Sequence, residues 1–317
     1  MNTRSTRVGA EAVAVKGWLK AHRFLIARRM SQAGILGLFL LGPLAGLWIV
    51  KGNLNSSITL GVLPLTDPYV LLQSLAARHW PETTAILGAI VVAVFYALVG
   101  GRVYCSWVCP VNLVTDAAAW LRQRLGLRGV SRAPRATRQG LLLVTFAVSA
   151  VAGVVAWEAI NPVSMFHRGL IFGVGLAWVV ILAVFLLDAL VSPRSWCGNL
   201  CPVGAFYGWL GYKSLVRVRA DQRAQCNDCG DCYDVCPEPQ VILPALKGTA
   251  KGMGPVILDV ACTNCGRCID VCSKEVFVFG TRLRNTVPLA DGEDSAAQRR
   301  RCTGGIPNFH ASIHPER

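Results

Sequence analysis

Uncharged apolar stretches alternate with short polar, arginine-rich segments over the first two thirds of the chain. The first stretch, residues 31–50, holds no charged residue over 20 positions. A helix of that length is about 30 Å long, which matches the hydrocarbon core of a bilayer. Three further apolar stretches follow at residues 84–101, 140–157 and 169–191. The pattern predicts four membrane-spanning helices, with a kink at Pro43 in the first.

A cleaved signal peptide is the alternative for the first stretch. Its apolar region would cover about 7–15 residues and end at a small-residue cleavage site. Lys51, Gly52 and Asn53, which follow the stretch, do not form such a site. The sequence therefore favours a transmembrane helix.

Basic residues outnumber acidic ones and lie beside particular apolar stretches. The 317 residues include 32 Lys and Arg against 18 Asp and Glu, and 53% are hydrophobic. In a membrane protein such an excess reflects topology more often than nucleic-acid binding, so no nucleic-acid partner is predicted. Basic residues are enriched before the first stretch, between the second and third, and after the fourth. The positive-inside rule then places both termini in the cytoplasm, at a bacterial inner membrane.

Two cysteine quartets with C-x2-C-x2-C-x3-C spacing follow the last apolar stretch. They are Cys226, Cys229, Cys232 and Cys236, then Cys262, Cys265, Cys268 and Cys272. Three closely spaced thiolates hold three corners of a [4Fe-4S] cluster, and in two-cluster ferredoxins the fourth cysteine ligates the other cluster. This predicts two clusters with crossed ligands: the first held by Cys226, Cys229, Cys232 and Cys272, and the second by Cys262, Cys265, Cys268 and Cys236.

Zinc and disulfides are the alternatives for these cysteines. Zinc sites more often use two CxxC pairs than two runs of four. Twelve of the 13 cysteines fall into motifs, so the chain is not a disulfide scaffold. A cytoplasmic location also keeps thiols reduced and free for cluster ligation.

An internal repeat relates the two halves of the apolar region. Each half leads from an Asp-Pro or Asn-Pro step to an apolar stretch and then to a C-x3-C-P-V motif. Pro68 and Pro162 are 94 positions apart, and Cys105 and Cys197 are 92 apart. We interpret this as a duplicated two-helix unit.

The C-x3-C-P motifs add four more candidate ligands: Cys105, Cys109, Cys197 and Cys201. If a helix continues that far, a separation of four places both sulfurs of a pair on one face, and the following prolines favour a break near the second cysteine. Four cysteines at one depth could bind a metal ion or an additional cluster, or act as two redox dithiols. The alternative is that they are small apolar residues that pack helix ends.

These elements together resemble the NapH type of ferredoxin-like membrane subunit. The resemblance runs from about residue 16 to residue 279, and it rests on the quartets and on five shorter segments. These are Lys16-Gly17-Trp18, PLTDP at 64–68, CSWVCP at 105–110, WEAINPVS at 157–164 and WCGNLCPVGAFYG at 196–208.

The resemblance implies an iron–sulfur subunit of a quinol dehydrogenase. Electrons would pass from membrane quinol, through a NapG-type periplasmic ferredoxin-like partner, towards periplasmic nitrate reductase. In some systems a membrane-anchored multihaem cytochrome takes part. The predicted fold is an α-helical membrane protein with a cytoplasmic α+β module.

The predicted organisation has four parts. They are a basic N-terminus at 1–30, a four-helix membrane domain at 31–212, a ferredoxin-like module at 213–281 and a disordered tail at 282–317, which carries a lone Cys302.

Quinol oxidation releases protons, so its site needs an acceptor near an apolar pocket. The candidates are Asp67, Glu158 and His167 on the periplasmic side and Asp188 in the fourth stretch. A carboxylate in the membrane costs about 2.5–3.5 kcal/mol on insertion scales, so its presence can indicate function. Asp67 could instead cap a turn, and Asp188 could pair with Arg194. The loop at 52–80 is predicted to lie on the membrane surface and to receive a partner or the quinol headgroup.

Other functions remain open at this point. Proteins of methylamine utilisation and of copper-enzyme maturation share the four apolar stretches, both C-x3-C-P motifs and the quartets. A non-catalytic anchor of a redox complex is a further alternative.

Overall fold

The structure is a computed structural model that describes residues 8–127, 134–173 and 175–283. The predictions for the tail from residue 284 onward, including Cys302, lie outside the described residues. So do Arg128 and Arg132 of the middle basic segment.

The N-terminal segment packs on the cysteine-rich module, residues 213–281. Helices α1 (Ala10–Lys16) and α2 (Trp18–Ala21) lead into α3 (Arg23–Ala45). The Lys16 ammonium donates to the Ile269 carbonyl at 2.9 Å. The Asp270 carboxylate accepts from the backbone N–H groups of Phe24 and Leu25, at 3.2 and 2.9 Å. A side chain of the module therefore satisfies the free N–H groups at the start of α3.

The first apolar helix has different bounds from those predicted. It begins at Arg23, before residue 31, and ends at Ala45, where Gly46 adopts φ 72. The sequence predicts a start at residue 31 because charged residues precede it. However, Arg28 is 1% exposed because ion pairing and packing cover it. Pro43 lies inside the helix.

The segment after α3 is a small sheet rather than a loop. Strands β1 (Val50–Gly52), β2 (Ser56–Thr59) and β3 (Leu63–Thr66) pair antiparallel in that order. Helix α4 (Pro68–Ala76) follows. Composition alone missed these strands, since each has only three or four residues.

The two repeats build the same local structure. In the first, α5 (Thr83–Val99) leads to a π-helical turn (Tyr104–Val108) and α6 (Val111–Arg124). The second begins with α7 (Arg135–Ala152), a 3-10 turn (Ala156–Ala159) and α8 (Pro162–Phe172). Helix α9 (Gly175–Leu186) then leads through a π-helical turn at Leu187–Val191 to a second one at Trp196–Leu200. Helix α10 (Pro202–Leu210) follows, as α6 follows the π-helical turn of the first repeat. Asp67 caps α4 and Asn161 caps α8, each by accepting the N–H two residues on, at 2.9 and 3.0 Å.

Among the described residues, α3 is the one helix that is both long and apolar enough to cross a membrane. Three shorter apolar helices cover Thr83–Val99, Ala136–Ala152 and Gly175–Val191. The arrangement with four spans and its orientation stay predictions.

The cysteine-rich module is α+β. Strand β4 (Val216–Arg219) pairs antiparallel with β5 (Val278–Thr281). Between them lie short helices: α11 (Asp231–Val235), α12 (Ile242–Lys247), α13 (Arg267–Val271) and 3-10 turns at Arg223–Gln225, Pro239–Val241 and Gly248–Lys251. Its core includes Val218, Ile242, Ile257, Ile269 and Phe277, and several motif cysteines pack against that core.

Candidate functional site

Four cysteines from both motifs line one small cavity in the module. They are Cys236 of the first motif with Cys262, Cys265 and Cys268 of the second. About 20 Å³ of this cavity is open to the centre of a water molecule. This is the grouping that crossed ligation requires for the second cluster, although the ligand assignment itself stays a prediction.

The other three cysteines of the predicted first site, Cys226, Cys229 and Cys272, lie around Cys232. Burial raises the pKa of Cys232 to about 12, and the neighbouring thiols of Cys226, Cys229 and Cys272 add to the shift. Cys229 is the one exposed cysteine in the described part of the chain. The first quartet is thus the one nearer to solvent.

Both cysteine loops have the same backbone conformation. Asp228 and Asn264, each two residues after the first cysteine of a motif, adopt φ 59 and 47. Gly230 and Gly266 adopt φ 88 and 73. A Cβ on Gly266 would lie 2.6 Å from the Phe24 ring, so this loop has room only for glycine.

Arginine side chains favour anionic sulfur at Cys265, although burial raises the pKa of the other three cysteines that share its cavity. Burial raises the pKa of Cys262 to about 11, but the Asn264 N–H acts in the opposite direction. At Cys265 burial also raises the pKa, yet the guanidinium groups of Arg267 and Arg28 outweigh it and the net pKa is lowered. Thiolates are the form that ligates iron, so the residues present fit a [4Fe-4S] cluster.

The four C-x3-C-P cysteines line a second cavity, outside the module. Cys105, Cys109, Cys197 and Cys201 share it with Asp67 and Asn161, and about 30 Å³ is open to the centre of a water molecule. The two motifs therefore converge, although Asp67 and Cys105 were predicted to lie on opposite sides of the membrane. Strand β3 leads the chain back to Asp67 beside the cysteines, because β3 and α4 fold against α5 and α7.

A π-helical turn, and not the predicted α-helix, holds each C-x3-C pair. The Cys109 N–H donates to the Tyr104 carbonyl at 3.0 Å, and the Cys201 N–H donates to the Trp196 carbonyl at 2.8 Å. Both second cysteines are extended, as expected before proline, and helices restart at Val111 and Pro202.

The starts of four helices contribute residues to this cavity. They are the N-cap residues Asp67 of α4 and Asn161 of α8, Val111 of α6, and Val203 of α10. Helix N-termini carry partial positive charge and favour an anionic group. Burial raises the pKa of Cys201 to about 12, and that of Cys109 also lies well above its ordinary value. The pKa of Cys197 is raised in the same way, so Cys109, Cys197 and Cys201 need a cationic or cluster ligand before they ionise together.

Within the described ranges, no three His, Cys, Asp or Glu side chains lie close enough to hold a single metal ion. All twelve described cysteines are free thiols.

The C-x3-C-P cavity is hydrogen-bonded to the loop of the second quartet. The Ser106 hydroxyl, next to Cys105, donates to the carbonyl of Thr263, next to Cys262, at 2.7 Å. The Trp107 indole N–H donates to the Asn264 carbonyl at 3.0 Å. The two cysteine groups are thus direct neighbours.

Two carboxylates, the buried Glu238 and the largely covered Asp116, join the module to the remainder of the chain. Glu238 accepts from Arg102 and Arg138, at 3.0 and 3.2 Å. The Asp116 carboxylate of α6 forms ion pairs with four arginines: Arg28, Arg29, Arg194 and Arg267. Burial would raise the pKa of Asp116, but Arg267, Arg194 and Arg29 lower it well below its ordinary value.

The four proton-acceptor candidates occupy different places. Asp67 is buried in the C-x3-C-P cavity, where it also accepts from the Tyr207 hydroxyl at 3.1 Å. Burial raises the pKa of Asp67 to about 6. Glu158 does not line this cavity, but it accepts from two residues that do, Asn55 and Asn161, at 2.7 and 2.9 Å.

His167 and Asp188 are not brought into this cavity. His167 is buried with its ring edge-to-face with Phe39, at 5.7 Å between centroids. Asp188 is fully buried and accepts the Trp196 N–H at 3.0 Å. No ion pair joins Asp188 to Arg194, whose guanidinium lies 3.5 Å from Asp116 instead.

Sequence reasoning missed the residues that couple the two cysteine groups. Arg102 and Arg194 carried a usable signal, because they are 92 positions apart, as Cys105 and Cys197 are. Asp116, Glu238 and the stacked rings of Tyr104 and Tyr207, 4.8 Å apart, carried none.

Comparison with known proteins now identifies the family. The MauN methylamine utilization ferredoxin-type protein of Paracoccus denitrificans is 56% identical over 274 residues, 86% of this chain and 95% of the relative. The ferredoxin-type protein NapH of Haemophilus influenzae is 47% identical over the same shares, and that of Escherichia coli is 49% identical over 76% of this chain and 84% of the relative. The chain belongs to the NapH and MauN family of ferredoxin-type proteins.

Family profiles agree with this placement. A profile described as a 4Fe-4S binding domain matches residues 82–128 and 174–220, and one described as a 4Fe-4S dicluster domain matches residues 225–277. The first profile covers both C-x3-C-P motifs, once in each repeat. No solved structure matches the chain significantly. This is an iron–sulfur protein of the ferredoxin type, and its role is electron transfer.

Proposed function

We propose that the chain is the iron–sulfur membrane subunit of a quinol dehydrogenase. It takes electrons from membrane quinol and passes them, through a NapG-type partner and in some systems a membrane-anchored multihaem cytochrome, towards periplasmic nitrate reductase. The observation that carries the proposal is the direct hydrogen-bonded contact between the C-x3-C-P cavity and the second quartet, through Ser106 and Thr263. This contact links a site among apolar helices to a ferredoxin-type module.

The proposal includes four membrane spans, with both termini and the module in the cytoplasm. Apolar side chains on the shorter helices support it, since Leu87, Phe95, Leu143, Leu176 and Val179 are each more than half exposed. In water such surface is unfavourable, but lipid would cover it. The basic segments beside the helices support the orientation.

Within this function the residues have separable roles. Bound clusters would supply sites that gain and lose single electrons. Cys226, Cys229, Cys232 and Cys272 would hold one, and Cys262, Cys265, Cys268 and Cys236 the other. Cys105, Cys109, Cys197 and Cys201 would hold a further redox group among the helix N-termini. Asp67 would accept a proton at its carboxylate, which Tyr69 and Tyr207 hold in place.

Replacing Cys105 by serine tests the relay. We expect the clusters of the module to remain while their reduction by a quinol analogue slows at least about tenfold, because the C-x3-C-P site would precede them. The measurement is the rate of cluster bleaching in detergent-solubilised protein, with iron and sulfide counts. Ser31→Ala, which removes a hydroxyl bonded to the Trp107 carbonyl, is the control. Unchanged kinetics in Cys105→Ser would remove the proposed relay.

Replacing Asp67 by asparagine tests the proton acceptor. Asparagine keeps the cap of α4 but cannot take a proton, so quinol oxidation should slow at least about tenfold. The rate with dithionite should not change, since that reductant brings no proton to transfer. Glu158→Gln should have a smaller effect, because Glu158 does not line the cavity. Equal rates for wild type and Asp67→Asn would exclude this carboxylate.

Electron transfer in methylamine utilisation is the second candidate, because the MauN relative shares more identical residues with the chain than the NapH relatives do. Both functions would use the same sites and differ in the partner. Growth of a deletion strain on methylamine, or with nitrate as electron acceptor, separates them.

A further inference from the structure

The two cysteine quartets of the module have different electrostatic surroundings. Six arginines and two carboxylates form ion pairs beside the second quartet: Arg28, Arg29, Arg102, Arg138, Arg194 and Arg267 with Asp116 and Glu238. Five of the six arginine side chains are at most 15% exposed, so water screens them weakly. At the first quartet, the carboxylates of Asp231 and Glu11 act on Cys229. The cations that act there are Lys247, which pairs with Asp228 beside Cys226, and Lys16 beside Cys272, the fourth predicted ligand of the first cluster.

Arg102 contacts three places at once. Its Nη1 donates to the Ala261 carbonyl, just before Cys262, at 2.6 Å and to Glu238, two residues after Cys236, at 3.0 Å. Its Nη2 donates to the carbonyl of Cys197 itself, at 3.0 Å. One guanidinium therefore fixes the second quartet against the C-x3-C-P cavity.

Arg194, from the other half of the chain, also donates to a carbonyl just before a predicted ligand of the second cluster. It occupies the position equivalent to Arg102, 92 residues later. Its Nη1 donates to the Val235 carbonyl, just before Cys236, at 2.7 Å, and its Nη2 lies 3.5 Å from Asp116. The duplicated unit thus supplies one arginine to each side of the second quartet.

We propose that Arg102 and Arg194 are positioning residues that hold the second quartet against the C-x3-C-P cavity and keep the reduction potential of its cluster above that of the first. Reduction adds one electron to the cluster. Fixed positive charge stabilises the more negative reduced form, because net charge near a cluster sets its potential. The inference rests on the proposed function only in that both quartets bind clusters.

The order of the two reduction potentials determines where an electron resides on its way through the module. An electron that arrives from the cavity stays on the second quartet until a partner draws it through the first. The exposed Cys229 marks the side from which such a partner would reach it.

EPR-monitored redox titration of the full chain in detergent tests the inference, with iron and sulfide counts on every variant. Cys229→Ser, at the exposed corner of the first quartet, identifies the signal of that cluster. We expect Arg102→Gln and Arg194→Gln to move the midpoint of the other signal to more negative potential. Glu238→Gln should move it to more positive potential. Arg122→Gln removes a buried arginine that donates to the Ala189 carbonyl, and should move neither signal.

If these residues had a merely structural role, the arginine and glutamate variants would not shift the midpoint potential in opposite directions. Shifts of one sign in all variants, or equal shifts of both signals, would overturn the inference. If Arg102→Gln or Arg194→Gln loses iron, Arg29→Gln carries the same expected sign at a side chain that is 28% exposed, and an unmoved midpoint there would overturn the inference as well. Wild-type protein without iron would instead refute the proposed function.

Discussion

Replacing Cys236 by alanine is expected to abolish the cluster of the second motif and to leave that of the first in place. Cys236 belongs to the first motif by sequence, but its side chain lines the cavity of Cys262, Cys265 and Cys268. Removing one of four thiolates leaves three ligands, so we expect about four iron atoms per chain to be lost. EPR of the reduced protein, with iron counts, measures this.

The matched variant is Cys272→Ala, which belongs to the second motif by sequence. Cys272→Ala should remove the signal of the first cluster, which is the signal that Cys229→Ser alters. Cys236→Ala should remove the signal of the second cluster, which Cys265→Ala also removes. If each fourth cysteine eliminated the signal of its own motif, crossed ligation would be wrong and each loop would hold its cluster alone.

Replacing Asp116 by alanine is expected to cost about 3–5 kcal/mol of unfolding free energy, because it leaves buried arginines without their counter-charge. Arg267 donates to both Asp116 oxygens at 2.7 Å, and Arg28 and Arg194 lie within 3.9 and 3.5 Å of the same carboxylate. Denaturant unfolding in detergent, followed by tryptophan fluorescence, gives the free energy. The clusters should also be lost at lower denaturant, since Arg267 lies between Cys265 and Cys268.

Glu11→Ala is the matched control. Glu11 pairs with Lys274 at 3.9 Å, but the two side chains are 49% and 45% exposed, and ion pairs at the surface contribute at most about 1 kcal/mol. If both variants cost the same, the four-arginine group would have no special role in stability. The pKa of Asp116 is held below its ordinary value, so its contribution is present above pH about 4 and lost as the pH falls below that.

Features that depend on residues close together in the sequence were predictable. The cysteine spacing indicated iron–sulfur binding, which the family profiles confirm. The recurrence of Cys105 and Cys109 at Cys197 and Cys201 indicated a duplicated unit, and the same profile matches both halves. These features depend on neighbours in sequence, which a single chain displays directly.

Predictions that depended on the surroundings of a residue were less accurate. Charge set the expected start of the first helix, but the burial of Arg28 extends α3 back to Arg23. The four-residue cysteine spacing suggested α-helix, but a π-helical turn holds each pair. In both cases partners distant in sequence satisfy groups that a local rule takes to be exposed or regular.

By itself, the sequence determined which chemistry the chain carries, because thiolates at fixed spacings in glycine-containing loops suit few ligands other than iron–sulfur clusters. Only the tertiary structure decided which cysteines share a cavity, that Asp67 reaches the C-x3-C-P site, and that Arg102 and Arg194 flank the second quartet. The reason is physical: these contacts join residues up to 159 positions apart. Helix packing and charge pairing bring them together, and apart from the recurrence of Arg102 at Arg194 no pattern between neighbours in sequence encodes these contacts.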